Sequence, residues 1–390
     1  MTFPALAYHL IILALLLSLL GILAANLWVL PRLQRFQRAQ SDAPLVAVLV
    51  PARNEEANIE TCLLSLLAQE YPSFEVWVYD DASTDRTREI ASRMVAGSGG
   101  RLRVVEGLSD PPQGWLGKAH ACYHLYAAMR ERTTPDYVIF TDADVTLQPG
   151  TLGHAVGAAR QLDAGLLSVF PMQVTGSFAE RLAVPILLHW TVYTFLPLPL
   201  AHSRHSGPAF AAANGQFMLF RREAYEAFGG HKAVRSQILE DVALARATKR
   251  TGYRAILADG GALVQTRMYR GAQEVWNGYS KNAYAFFGYS PLFLAVGVLT
   301  LAALYVAPVV FIVESALSGD WPLFSLAAMQ YALAIAARLM LSFRFGYRVL
   351  DAFLHPVAII YVIAIEINSM WWALTCKSAW KGRSYRNLGR

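Results

Sequence analysis

Cysteine is scarce in this 390-residue chain: there are three, Cys62, Cys122 and Cys376. The odd count and the lack of any CxxC spacing argue against a disulfide framework or a thiolate zinc site, and fit a reducing compartment. Charge is also sparse, at 16% of residues against 55% hydrophobic, with a mean hydropathy of +0.33. Apolar side chains exceed what one soluble core buries, which points to a membrane protein. No internal repeat or low-complexity tract breaks the chain. The net charge of +6 is modest and gathers beside the apolar segments and in the tail. That placement suits anionic lipid headgroups and gives no reason to expect nucleic-acid binding.

Residues 5–30 contain no charged side chain and are long enough to cross a bilayer, which takes about 20 residues. The run is too long for a signal-peptide core, and its basic residues, Arg32, Arg35 and Arg38, follow it, so it reads as an uncleaved anchor. Three further apolar segments are expected at about 291–314, 322–343 and 349–375. The expected organisation is an anchor over 1–31, a middle domain over 32–288, membrane segments over 289–376 and a basic tail over 377–390. The positive-inside rule places the middle domain in the cytoplasm, at the inner membrane. "ESALSGD" outside and "FRFGYR" inside agree with that rule. The basic tail does not, because four crossings put both termini outside, so either the last segment does not fully cross or the rule is broken.

Within the middle domain, "LVAVLV" (45–50), "EVWVYDD" (75–81), "LRVVEG" (102–107) and "YVIFTDAD" (137–144) read as strands separated by helical patterns. Alternating strand and helix is the signature of an α/β domain with a mostly parallel sheet. Ligands bind such sheets beyond the carboxyl ends of the strands. Here those ends read "PARNEE", "DDASTD" and "TDAD", and the loop after the third strand reads "DPPQGWLGKAHA". One such acid is an ordinary helix cap, the role expected for Asp85. Four polar strand ends on one edge read as a binding site.

Asp142 and Asp144 repel each other unless a cation lies beside them. A hard divalent ion, Mg²⁺ or Mn²⁺, bridging carboxylates to nucleotide phosphates supplies that compensation. The ordered set "PARNEE", "DDASTD", "GWLGKAHA", "TDAD" and "LEDVALARATKRTGYRA" resembles the family 2 glycosyltransferases of GT-A fold across roughly residues 45–290. The layout with an N-terminal anchor and C-terminal membrane segments is most similar to the subgroup that glycosylates membrane lipids, including carotenoid and hopanoid-associated enzymes. The resemblance implies a metal-dependent transferase moving a hexose from a nucleotide sugar, UDP-linked, to a lipid acceptor. By the same resemblance Asp81 contacts the base, Pro51, Arg53 and Glu55 shape its pocket, and Lys118 lies near the phosphates. Asp142 and Asp144 hold ribose and metal, and Glu240 and Asp241 form the ED pair whose aspartate is the base.

The chemistry asks for such groups whatever the name, since the departing diphosphate gathers negative charge and the acceptor hydroxyl must lose a proton. "QTRMYRGAQEVW" departs from the QxxRW of the family's processive polymer synthases, which disfavours polymer synthesis. Arg267, Arg270 and Trp276 are expected either to bind diphosphate or acceptor, or to anchor at the interface. The apolar, proline-containing segment 178–200 is expected in the membrane interface. His231 is expected to be structural, with the metal as its alternative. Arg338 and Glu366, inside apolar segments, are expected to pair with each other or with a lipid headgroup. "WKGRSY" in the tail resembles a carotenoid-subgroup motif. A polyprenyl-phosphate acceptor, a nucleotidyl- or phosphoryltransferase without a glycine-rich phosphate loop, and a transporter with a regulatory nucleotide domain are the alternatives.

Overall fold

A computed structural model describes residues 3–39, 43–107, 110–375, 379–380 and 383–384. Most of the tail, including half of "WKGRSY", lies outside the described residues. The chain forms two compact units. One holds residues 30–174 and 198–268 and contains the sheet; the other holds 1–29, 175–197 and everything from Tyr269 on.

The sheet unit has strands β1 (Val46–Ala52), β2 (Phe74–Asp80), β3 (Leu102–Glu106), β4 (Tyr137–Thr141), β5 (Val145–Leu147), β6 (Ala164–Phe170), β7 (Met172–Gln173), β8 (Phe217–Arg221), β9 (Arg254–Asp259) and β10 (Val264–Thr266). Seven make the main sheet in the order β3-β2-β1-β4-β8-β6-β9, parallel throughout except for β8, which runs against both neighbours. The apolar runs read from sequence are buried on both faces, as a helix-covered parallel sheet requires. In β1, Val46, Val48 and Val50 enter one core while Ala47 and Leu49 enter the other. β4 divides likewise, with Tyr137 and Ile139 on the first face and Val138 and Phe140 on the second.

Parallel pairing brings the carboxyl ends of β1, β2 and β4 to one edge of the sheet. Because β8 is antiparallel, it presents its amino end there, led in by Asn214, Gly215 and Gln216. A small sheet, β5-β10-β7, lies just past this edge, with Thr266 paired to Val145.

Among the described residues, the helical unit contains four helices long and apolar enough to cross a membrane: Ala5–Val29, Pro291–Ser318, Trp321–Phe345 and Val349–Leu374. The three C-terminal segments expected from sequence are all there. Segment 175–197 also belongs to this unit and is helical from Phe178 to Phe195, with a π turn at Ile186–Trp190. The Asn26 side chain in the first helix donates to the carbonyls of Tyr193 at 2.7 Å and Leu196 at 2.6 Å, closing backbone acceptors at that segment's end. Residues 269–288 pack in the helical unit as well, although the sequence reading assigned them to the middle domain.

Candidate active site

At the ends of β1 and β2, Asn54 and Ala82 both adopt left-handed backbone, each with φ 52. Non-glycine residues pay for that conformation, and it persists where surrounding bonds over-determine it. Those bonds cross between the two loops. Arg53 donates from Nη1 to the carbonyls of Asp81 and Ala82. The Asn54 side chain accepts from the Thr84 N–H at 2.8 Å, and the Asn54 N–H donates to Ser83 Oγ at 3.1 Å. Pro51 pairs in register with Tyr79, and the Asp81 N–H donates to Ala52 O at 2.8 Å. Pro51, Arg53 and Asp81 therefore form one locked pair of loops, with Glu55 alongside, its N–H donating to Thr87 Oγ1 at 2.7 Å. Asp85 takes the capping role: its carboxylate accepts from the Thr87 and Glu56 N–H groups.

Lys118 is the second residue of helix Gly117–Arg130. Its ammonium lies 2.7 Å from Asp142 Oδ1 and 3.1 Å from Glu240 Oε1, with about a quarter of the side chain exposed. Burial opposes the charge, but Asp142 and Glu240 outweigh it and hold the Lys118 pKa well above the ordinary lysine range. Three segments far apart in sequence thus meet at one cation: the end of β4, the start of helix Gly117–Arg130 and the start of helix Glu240–Arg250.

Asp144 points inward, and its Oδ1 is buried with no hydrogen-bond partner among the described residues. Burial, then Asp142 and Glu55, push its carboxyl up to about 7. A buried acceptor aimed at a site of like charge is what a hard cation satisfies, and bound phosphates complete an oxygen shell that two carboxylates begin. Asp142 and Asp144 therefore fit Mg²⁺ or Mn²⁺. Among the described residues no group of three or more His, Cys, Asp or Glu side chains stands ready to hold a metal without a ligand's help.

Asp241, beside Glu240 in the first turn of its helix, accepts from the Gly215 N–H at 3.1 Å and from the Val242 N–H at 2.8 Å. Burial, followed by the charge of Glu240, raises its carboxyl to about 7. The helix-terminus role that acids often play is present in the Val242 bond, but the Gly215 contact ties Asp241 to the sheet edge.

Sequence reasoning passed over the lead-in to β8. A Cβ on Gly215 would sit 3.3 Å from Lys118 Nζ, 3.4 Å from Asp241 Cβ and 3.5 Å from Glu240 Oε1, so this position touches all three groups and a side chain here would press first on the Lys118 ammonium. Gln216 O accepts from the Asp142 N–H at 3.2 Å and from Thr141 Oγ1 at 2.9 Å, fixing the backbone of the acidic pair. The visible signal was "ANGQF", a glycine set directly before an apolar strand.

Arg267 follows Thr266, whose hydroxyl donates to Asp144 O at 3.2 Å, so its backbone runs beside the acidic pair. Arg270 and Trp276 belong to the helical unit; the Arg270 N–H donates to Glu274 at 2.8 Å and Trp276 packs against Tyr361. His231 is structural. Its Nδ1 lies 2.8 Å from Tyr225 Oη, its ring 4.5 Å from Phe140, and burial, then Lys118, lower its pKa to about 3.

Residues 47–229 match the family Glycosyl transferase family 2. The chain is 32% identical over 240 residues to 4,4'-diaponeurosporenoate glycosyltransferase of Staphylococcus aureus (strain USA300), a match covering 61% of this chain and 60% of that protein's length. A mannosyltransferase of Pyrobaculum calidifontis, solved in complex with GDP-Man and Mn2+, superposes with TM-score 0.53 over 93% of this chain and 99% of that one, at 22% identity. That likeness bears on the fold alone, and it supports a GT-A-like fold for the mostly parallel sheet. With its mostly parallel sheet and the strand-end motifs gathered on one edge, the chain carries a family 2 glycosyl transferase domain over residues 47–229.

Proposed function

We propose that the protein is a membrane-anchored inverting glycosyltransferase that moves a hexose from a nucleotide sugar, UDP-linked, to a lipid acceptor. The observation that carries this reading is Lys118 held between Asp142 and Glu240 at the carboxyl edge of the sheet, with Asp144 and Asp241 beside them. The glycosyltransferase name of the Staphylococcus relative and the GDP-Man and Mn2+ bound to the Pyrobaculum protein support it.

In this reading the loops after β1 and β2 receive the nucleoside. Asp81 takes the base, and Pro51, Arg53 and Glu55 frame it. Asp142 and Asp144 hold the metal, with Asp142 also meeting the ribose; a bound Mg²⁺ or Mn²⁺ supplies positive charge to the leaving diphosphate. Lys118 adds a second positive charge there, preorganised by its two carboxylate contacts. Asp241 accepts the proton from the acceptor hydroxyl as that oxygen bonds to the anomeric carbon. The bond to the diphosphate oxygen breaks, its electron pair leaves with the nucleotide, and the single displacement inverts the anomeric centre. General-base help of this kind contributes about 10²- to 10⁴-fold. Glu240 keeps Lys118 in place, while Arg267, Arg270 and Trp276 serve diphosphate, acceptor or interfacial anchoring. The four apolar helices cross the inner membrane with the sheet unit in the cytoplasm, and segment 178–200 lies at the interface and admits the lipid.

The test is nucleotide release from UDP-glucose by purified full-length protein with mixed lipid extracts, with and without Mn²⁺, and GDP-mannose as a second donor arm. Divalent-dependent UDP release coupled to a new glycolipid by mass spectrometry is expected. Pyrophosphate release from a nucleoside triphosphate would instead favour a nucleotidyltransferase, and a product that requires polyprenyl phosphate would redefine the acceptor.

A further inference from the structure

Among the described residues, the helical unit buries a set of polar side-chain atoms that have no hydrogen-bond partner. Arg338 is 1% exposed, and its Nε and Nη1 have no partner among the described residues. His355, fully buried, has a partner there for neither ring nitrogen. Ser342 Oγ and Trp190 Nε1 are likewise buried and unpartnered among the described residues.

These groups converge. Arg338, Ser342 and Phe345 lie four and then three residues apart in helix Trp321–Phe345, and so share one face. Phe345 stacks on His189 at 4.1 Å, and Trp190, next in the chain, has its ring 5.5 Å from that of His355. Tyr305 closes the group, 5.1 Å from Trp190 and 4.8 Å from His355. The residues come from two π turns, Ile186–Trp190 and Ala302–Val306, and from two apolar helices. Single π turns inside helices often mark functional sites.

An arginine keeps its charge at physiological pH, and a buried guanidinium without an anion is a costly arrangement that membrane helices seldom carry without function. The expected pairing with Glu366 is not made: no ion pair joins the two among the described residues, and Glu366 lies eleven residues beyond His355, about 16 Å along the helix. Asp351 is near enough to act on Arg338 through space, but its ion pair is with Arg181, at 3.6 Å, and it leaves Arg338 Nε and Nη1 without a hydrogen bond. Depth says what kind of anion belongs here. Arg338 lies seven residues, about 10 Å, before the end of its helix, and His355 is the first residue of its own. With these helices crossing the bilayer as proposed above, the group lies toward one membrane face, within reach of lipid headgroups, in a unit whose outward face is apolar.

We propose that Arg338, Ser342, His355 and Trp190 bind the acid group of a membrane lipid, a carboxylate or phosphate monoanion carried on hydrocarbon. A guanidinium offers such a group two parallel N–H bonds, and the imidazole, hydroxyl and indole supply the rest. All four residues belong to the helical unit, and the test reads binding and not turnover.

Full-length protein, delipidated in a neutral detergent, is titrated with oleic acid, phosphatidylglycerol, methyl oleate and phosphatidylcholine, and followed by native mass spectrometry and thermal unfolding. Retention and a raised Tm are expected with the two acidic lipids only, and affinity falls by about tenfold or more in Arg338→Gln and His355→Gln. Preference for oleic acid assigns a carboxylate-bearing lipid, and preference for phosphatidylglycerol a bilayer phospholipid; either supports the site. An equal response to methyl oleate overturns it, as does undiminished acid binding in both variants. Should Arg338→Gln fail to fold, His355→Gln and Ser342→Ala carry the measurement, and wild-type affinity in both is the overturning result.

Discussion

Replacing Gly215 in steps tests the site without removing any charged group. Its backbone lies outside the left-handed region, so Ala, Ser and Val are conformationally permitted and only their volume matters. The first added carbon lands 3.3 Å from Lys118 Nζ, close enough that the ammonium must give by a few tenths of an ångström, and in ordinary contact with Asp241 Cβ at 3.4 Å and Glu240 Oε1 at 3.5 Å. A misplacement of about 1 Å in a catalytic array costs on the order of 10²-fold, so Gly215→Ala should cost about three- to tenfold in kcat. Gly215→Val pushes branched carbons further into the same groups and should cost more than about 10²-fold. Steady-state nucleotide release from the donor sugar gives kcat and KM, and thermal unfolding checks the fold. The expected result is a graded fall in kcat with Tm nearly constant for Ala. A valine variant with wild-type kcat and KM would refute the assignment of this cluster as the reacting centre.

Lys118→Met should lower kcat by about 10²- to 10³-fold, the loss seen when one charge-stabilising donor is removed. It should also cost about 1–3 kcal/mol of stability, because Lys118 is mostly buried and its loss leaves Asp142 and Glu240 without their shared cation, and calorimetry of the two proteins checks this. In divalent-free buffer, Asp144 binds its proton more tightly folded than unfolded, since burial and Asp142 lift its carboxyl from 3.8 to about 7. Stability should therefore fall as pH rises from about 4 to about 7 and level off above. Asp144→Asn should flatten part of that slope, and Mn²⁺ should restore stability at pH 8 to the wild type but not to the variant, by denaturant titration. With Asp241 as the base and its carboxyl near 7, kcat/KM should climb with pH through that value and then level. Asp241→Asn should remove both the activity and the climb; a variant turning over at the wild-type rate would exclude Asp241 as base.

The sheet and its helices were legible because both are periodic: β1, β2 and β4 bury both faces, and a run such as "LVAVLV" has no other stable place. The four membrane-length helices were legible for a similar reason, since their hydropathy is local and needs no partner. The acids at the strand ends were visible as motifs, because a parallel sheet must bring such ends to one edge. Sequence alone did not show that β8 runs antiparallel and delivers Gly215 and Gln216 to that edge, a fact of pairing between residues about 75 apart. Nor did it show that Lys118 bridges Asp142 and Glu240, or that Arg338 makes no ion pair with Glu366 among the described residues while Trp190 packs on His355, on which Arg338 acts. Local pattern determines which segments become strands and helices, because propensity and burial act over a few residues. Which side chains share a charge or a hydrogen bond depends on long-range packing, and that only the tertiary structure decided.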